Sequence, residues 1–209
     1  MPTCSFTRIS SYGAYLLWRI DEPEALLIKE STADILAQPA YKKIAHPARR
    51  REWLAARLAL KKLLTELGHA YTQLPKDAWE RPYLVSSPIH LSIAHCASFA
   101  LAAVDQENPI GIDIQLPCKQ LQSVKEKFLD EDEVKDSGND IEKLCIYWCA
   151  KEAIYKTQGR KRLSLKQDIR IQGFTKSDQG MVWGEVGTQL FVVHYSFYDH
   201  HVLAWSREV

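Results

Sequence analysis

Leu144-Cys145-Ile146-Tyr147-Trp148-Cys149-Ala150-Lys151-Glu152-Ala153-Ile154-Tyr155-Lys156 is the stretch on which the fold class turns. It is apolar nearly all round, with only Lys151, Glu152 and Lys156 charged, and such a helix is buried. The spacing predicts a helix over about residues 141–157, closed by Gly159. Downstream, residues 168–173, 181–186, 190–197 and 202–206 change to the two-residue alternation of strands. Upstream, residues 99–104 and 110–116 read as strands joined by the turn-rich segment 105–109, a hairpin.

Further back, His46-Pro47 opens a second strong helix, because proline is tolerated at a first helical position. Trp53, Leu54, Leu58, Leu60, Leu63, Leu64 and Leu67 form its broad apolar face, and Gly68 stops it. A strand over residues 14–20 and weaker helical signals over 25–37 precede it. The pattern is α+β, in two roughly equal halves, residues 1–108 and 109–209, with no repeat visible between them.

The chain has 209 residues, of which 46% are hydrophobic and 25% charged, which excludes disordered and fibrous classes. A formal charge of +1 argues against a nucleic-acid coat, but the charge is uneven. Lys42, Lys43, Arg49, Arg50, Arg51, Arg57, Lys61 and Lys62 face a single acid, Glu52, while residues 130–140 are acidic. That asymmetry suits a small polyanion. A solvated basic face is the competing explanation. The five cysteines contain no CxxC pair, and Cys145 and Cys149 read as buried packing residues. No run approaches membrane-spanning length and no signal-peptide order is present, so a reduced, cytoplasmic protein is expected.

Two segments carry candidate chemistry. In Gly111-Ile112-Asp113-Ile114-Gln115 the strand period puts Asp113 and Gln115 on one face, and a strand carboxylate among apolar neighbours suits a hard cation. A water-facing aspartate explains this segment equally well. On the long helix, Trp148, Glu152 and Lys156 share a stripe at i, i+4 spacing, with Lys151 about a quarter-turn away. Buried charges need partners or a ligand, so these charges point to a cleft rather than to an exposed salt bridge. Taken singly, His95 and Arg81 would be a satisfied core or loop histidine and a surface cation, and His194, His200 and His201 have no assigned role.

The order RRREWLAAR, WERPYL, HLSIAHC, GIDIQ, WCAKEAIYK and RLSLKQDI resembles the 4′-phosphopantetheinyl transferases, in particular their longer, surfactin-synthetase-activating type. The W-x-x-K-E-A-x-x-K motif is the specific part. The resemblance implies an α+β pseudodimer of two similar halves with the active site in the cleft between them. It also implies the reaction: Mg²⁺-dependent transfer of 4′-phosphopantetheine from coenzyme A to a serine of an apo acyl or peptidyl carrier protein, releasing adenosine 3′,5′-bisphosphate. Asp113 and Glu152 then hold Mg²⁺, and Lys151 and Lys156 face the phosphates, with Lys156 also stabilising the leaving group. His95, Arg81, Arg49 and Arg57 meet the 3′-phosphate and adenine end, and Glu152 accepts the serine proton. A monomer is expected, without nucleic-acid or membrane partners.

Two positions depart from the family pattern. Gln115 stands where GxDxE has glutamate; it keeps a carbonyl ligand but removes a charge, so Asp113 and Glu152 are the acidic ligands expected, with Gln115 or a water completing the shell. Ala94 stands before His95 where serine is common. Gln115 also makes a second reading possible, an inactive relative that binds coenzyme A or a carrier protein. A third reading, the basic helix as a nucleic-acid contact, is opposed by the near-neutral chain.

Overall fold

The computed structural model describes residues 4–159 and 162–209. The chain forms two units. The first runs to Asp77 and resumes over Pro82–Glu107; the second combines Ala78–Arg81 with Asn108–Val209.

In the first unit, β1 (Cys4–Arg8), β2 (Gly13–Arg19), β3 (His90–His95) and β4 (Phe99–Asp105) form an antiparallel sheet in the order β1-β2-β4-β3. Helices α1 (Glu24–Glu30), α2 (Ala33–Ala37) and α3 (Pro39–Lys42) lead to the 20-residue α4 (Pro47–Glu66). His46 is extended at the N-cap and Pro47 occupies the first turn, as the sequence predicts. The leucine face of α4 packs on β2, β3 and β4, closing a core of Leu54, Leu58 and Leu64 against Leu16, Trp18 and Ala102. The helical signal over residues 25–37 resolves into α1 and α2, because Ser31 turns extended and its hydroxyl caps the Leu27 carbonyl.

The basic segment is solvated only in part: Lys42, Lys43 and Arg49 are exposed, whereas Arg50 and Arg51 are engaged. Arg50 forms an ion pair with Glu24 at 2.5 Å and donates to the Ala45 carbonyl, while Arg51 donates to the carbonyls of Ile20 and Glu22. These two arginines tie α4 to the chain around α1.

In the second unit, β5 (Gly111–Gln115) is followed by α5 (Lys119–Val124), α6 (Glu131–Ser137) and the 18-residue α7 (Ile141–Gln158). Strands β6 (Arg170–Ile171), β7 (Gln179–Val186), β8 (Gln189–Tyr198) and β9 (His201–Glu208) complete an antiparallel sheet ordered β5-β9-β8-β7-β6. Asp140 caps α7 by accepting from the Glu142 and Lys143 amides, and Gly159 ends it in the left-handed region at φ 69°. Cys149, Ala150 and Ile154 of α7 pack with Val193, Val202 and Ala204 of the sheet. The acidic stretch after residue 130 is an ordered helix, α6, started by a reciprocal capping box between Asp130 and Glu133.

The expected hairpin between β4 and β5 is corrected by the pairing. β4 lies between β2 and β3, whereas β5 pairs with β9 in the other sheet, so residues 105–109 lie where the chain leaves the first unit. Turn-forming residues mark a break in a strand but do not choose its partner. A shared connectivity, hidden in the sequence, replaces the hairpin. In each unit a strand, a long helix and an antiparallel hairpin follow in order, and the last strand returns beside the first: β2-α4-β3-β4 and β5-α7-β8-β9. The two halves are therefore similar α+β folds. No described helix is long and apolar enough to cross a membrane.

Candidate active site

Gly111 decides how β5 meets α7. A side chain at this position would overlap the Ala153 carbonyl and Thr157, so only glycine lets the strand pass against the helix backbone. The same face, two residues on, carries Asp113. Its Oδ1 lies 2.7 Å from Lys156 Nζ, which also donates to the Ile112 carbonyl at 2.9 Å. Glu152, one turn before Lys156, belongs to this group. Burial first, and then the Asp113 charge, push its carboxyl above the ordinary range, with Lys156 pulling the other way. Among the described residues no hydrogen-bond donor meets the Glu152 carboxylate.

Two carboxylates thus share one ammonium, leaving net negative charge in a largely desolvated place. This donor set fits a hard divalent cation that takes one or two carboxylates and completes its shell with water and ligand oxygens. Among the described residues no cluster of three or more His, Cys, Asp or Glu is present, so any such ion would rest on Asp113 and Glu152 as its acidic ligands. Gln115 follows on the same face of β5, half-buried, with its backbone carbonyl accepting from Cys145 Sγ.

An ammonium has three N–H donors. Lys156 uses two of them in the protein, leaving one for a ligand. Lys151 uses all three: its fully buried ammonium donates to the carbonyls of Leu165 and Ile169 at 2.8 and 2.7 Å and pairs with Glu133 at 2.6 Å. The expectation that Lys151 faces a phosphate is therefore corrected. It staples α6, the turn before β6 and α7 together. Glu133, which the sequence offered only as part of an acidic stretch, also accepts from the amides of Asp130 and Ile171.

The remaining expected residues fall in two places. Arg81 belongs to the second unit, where its side chain covers Gly159 at the end of α7, rather than to the N-terminal half. Arg49, Arg57 and His95 lie together in the first unit. Arg57 is 8% exposed, with its guanidinium 3.7 Å from the Trp53 ring centre and its Nε unpaired; burial lowers its pKa to about 10. His95 Nδ1 lies 2.9 Å from Glu52 Oε2, and the same oxygen accepts from Arg49 at 2.8 Å. Glu52 was visible in the sequence as the one acid of the basic segment, three residues after Arg49, but its pairing with a histidine 43 residues away was not.

Comparison with known proteins covers both units. The model of the 4′-phosphopantetheinyl transferase N-terminal domain matches residues 37–105, which include Arg49, Glu52, Arg57 and His95. The model of the 4′-phosphopantetheinyl transferase superfamily matches residues 109–206, which include Asp113, Glu152 and Lys156. Enterobactin synthase component D of Escherichia coli is 38% identical over 84 residues, 39% of this chain and 39% of its own length. A Haemophilus influenzae protein named "Putative 4′-phosphopantetheinyl transferase" is 25% identical over 174 residues, 73% of each chain. Matched in both of its units, the chain belongs to the 4′-phosphopantetheinyl transferase superfamily.

Proposed function

We propose that the protein transfers the 4′-phosphopantetheine group of coenzyme A to a serine hydroxyl of an apo acyl or peptidyl carrier protein, with Mg²⁺, releasing adenosine 3′,5′-bisphosphate. The observation that carries this reading is the grouping of Asp113, Glu152 and Lys156 on β5 and α7, where two carboxylates share one ammonium with a donor to spare. The name of the Haemophilus influenzae relative and the two matching family models support it.

In the reaction the serine oxygen bonds to the phosphorus that bears pantetheine, and the pyrophosphate P–O bond breaks. The hydroxyl proton passes to Glu152, and the electron pair of the broken bond stays on adenosine 3′,5′-bisphosphate. The free donor of Lys156 binds the pyrophosphate and neutralises charge as it develops on the leaving oxygen. Asp113 holds Lys156 in place. Mg²⁺ bound by Asp113 and Glu152, with the Gln115 amide or water, would polarise the pyrophosphate and screen its charge. Arg49, Arg57 and His95 receive the 3′-phosphate, where the unpaired Arg57 Nε supplies a buried donor. Positioning and electrostatics provide most of the acceleration, because phosphoryl transfer needs little covalent help.

Intact-mass measurement of several apo carrier proteins incubated with coenzyme A and Mg²⁺ tests the reading. The expected result is a mass gain of one phosphopantetheine on at least one carrier; unchanged masses across acyl and peptidyl carriers, despite coenzyme A binding, would leave a binding protein.

A further inference from the structure

The cluster around His95 contains a carboxylate that a simple anion receptor would not need. Arg49, Arg57 and His95 are cationic or potentially so, yet Glu52 Oε2 sits between Arg49 Nη1 and His95 Nδ1, accepting from both. The Glu52 side chain is 8% exposed. A carboxylate only accepts, so Nδ1 carries a proton and, in the neutral ring, Nε2 is left with its lone pair. In that state Nε2 cannot donate to a phosphate oxygen. A proton arriving at Nε2 makes it a donor.

Charge counting leads to the same step. With the ring neutral, Arg49 and Arg57 against Glu52 leave one positive charge, one short of a dianionic phosphomonoester. Protonation of His95 supplies the second.

We propose that Glu52 is a positioning residue for His95: by holding Nδ1 it makes Nε2 the ring atom that meets a phosphomonoester, and binding of the dianion draws a proton from solvent onto Nε2. The inference rests on the transferase reading for the identity of its ligand, the 3′-phosphate of coenzyme A. It adds a criterion of specificity, since dephospho-coenzyme A presents a hydroxyl in place of the dianion.

The electrostatics of the free protein agree. Burial depresses the His95 pKa, Glu52 raises it, and Arg49 and Arg57 lower it; the net shift is downward, the direction that favours the neutral ring before a dianion arrives. The charged groups that face the ring come from α4: Glu52, Arg49 and Arg57. On its own hairpin, Ala100 pairs opposite His95 and Cys96 follows it.

Titration calorimetry in two buffers of different ionisation enthalpy reads the proton directly. At about pH 7.5 the secondary ionisation of a phosphomonoester is essentially complete, so the ligand itself exchanges few protons. Wild-type protein binding coenzyme A should take up about half a proton or more, and dephospho-coenzyme A should bind more weakly with essentially none. Glu52→Gln, which no longer fixes the protonated nitrogen, should lose most of the uptake and flatten the fall in coenzyme A affinity with rising pH.

Coenzyme A binding without proton uptake in the wild type, or equal uptake with both ligands, overturns the inference while leaving transfer intact. Unchanged uptake in Glu52→Gln removes Glu52 from it. Failure of the wild type to bind coenzyme A at all overturns the transferase reading itself, and this inference with it.

Discussion

Lys156 Nζ lies 2.7 Å from Asp113 Oδ1, joining residues 43 apart in the chain, and Glu152 is half-buried beside them with no ammonium of its own. One cation balances one of two carboxylates. Function and stability should therefore pull against each other at Glu152.

In chelator-treated protein, Glu152→Gln should melt a few degrees higher than wild type at pH 7 to 8 while losing more than about 100-fold in transfer rate. The sign follows from the raised carboxyl pKa in the fold. A carboxylate harder to ionise when folded costs stability once pH rises above its unfolded value of 4.5, and the cost disappears below it. The melting gap should therefore close in acid, as measured by thermal scans across the pH range.

Gln115 sits two residues beyond Asp113 on the same face of β5. Glutamate there would add a charge to the ligand set, and charge count tunes the affinity of hard-cation sites. Gln115→Glu should lower the Mg²⁺ concentration for half-maximal transfer by about tenfold. A superimposable Mg²⁺ titration would show that position 115 does not reach the ion.

The staple makes a different demand. Lys151→Met leaves Glu133 buried without its cation and should cost about 3–5 kcal/mol in chemical denaturation. Adding Glu133→Gln, which removes the stranded charge, should recover more than half of that loss. At saturating coenzyme A the double variant should retain most of its kcat, whereas a phosphate ligand lost at position 151 would not be recovered by a change at Glu133.

Arg57 is buried with an unpaired Nε, and the cost of that desolvated donor offsets its contact with the Trp53 ring in the free protein. Arg57→Met should leave the melting temperature near that of wild type and raise the KM for coenzyme A by about tenfold or more. The KM for dephospho-coenzyme A should hardly change. Steady-state kinetics with both substrates separates loss of a phosphate contact from general damage.

What the sequence showed and what it hid divide along chain distance. The helices α4 and α7 were legible because proline, glycine and an apolar surface act locally, and the tail strands because alternation is local too. The Gly111-x-Asp113 and Lys151-Glu152…Lys156 segments were legible as motifs. The β4–β5 hairpin was misread because pairing is decided by β9, about 90 residues further along the chain. Lys151 was misplaced for the same reason: its partners Glu133, Leu165 and Ile169 are set by the packing of the whole second unit. Glu52 stood out among the arginines, but only the fold brings it to His95.

The central claim is that Asp113, Glu152 and Lys156 perform transfer rather than merely hold a ligand. A quenched time course counting adenosine 3′,5′-bisphosphate against modified carrier serine, for wild type and Lys156→Met, tests it most directly. The account predicts equal amounts of the two products for wild type and a rate lower by about 100-fold or more for the variant. Coenzyme A binding by both proteins with neither product formed, or equal rates from both, would contradict it.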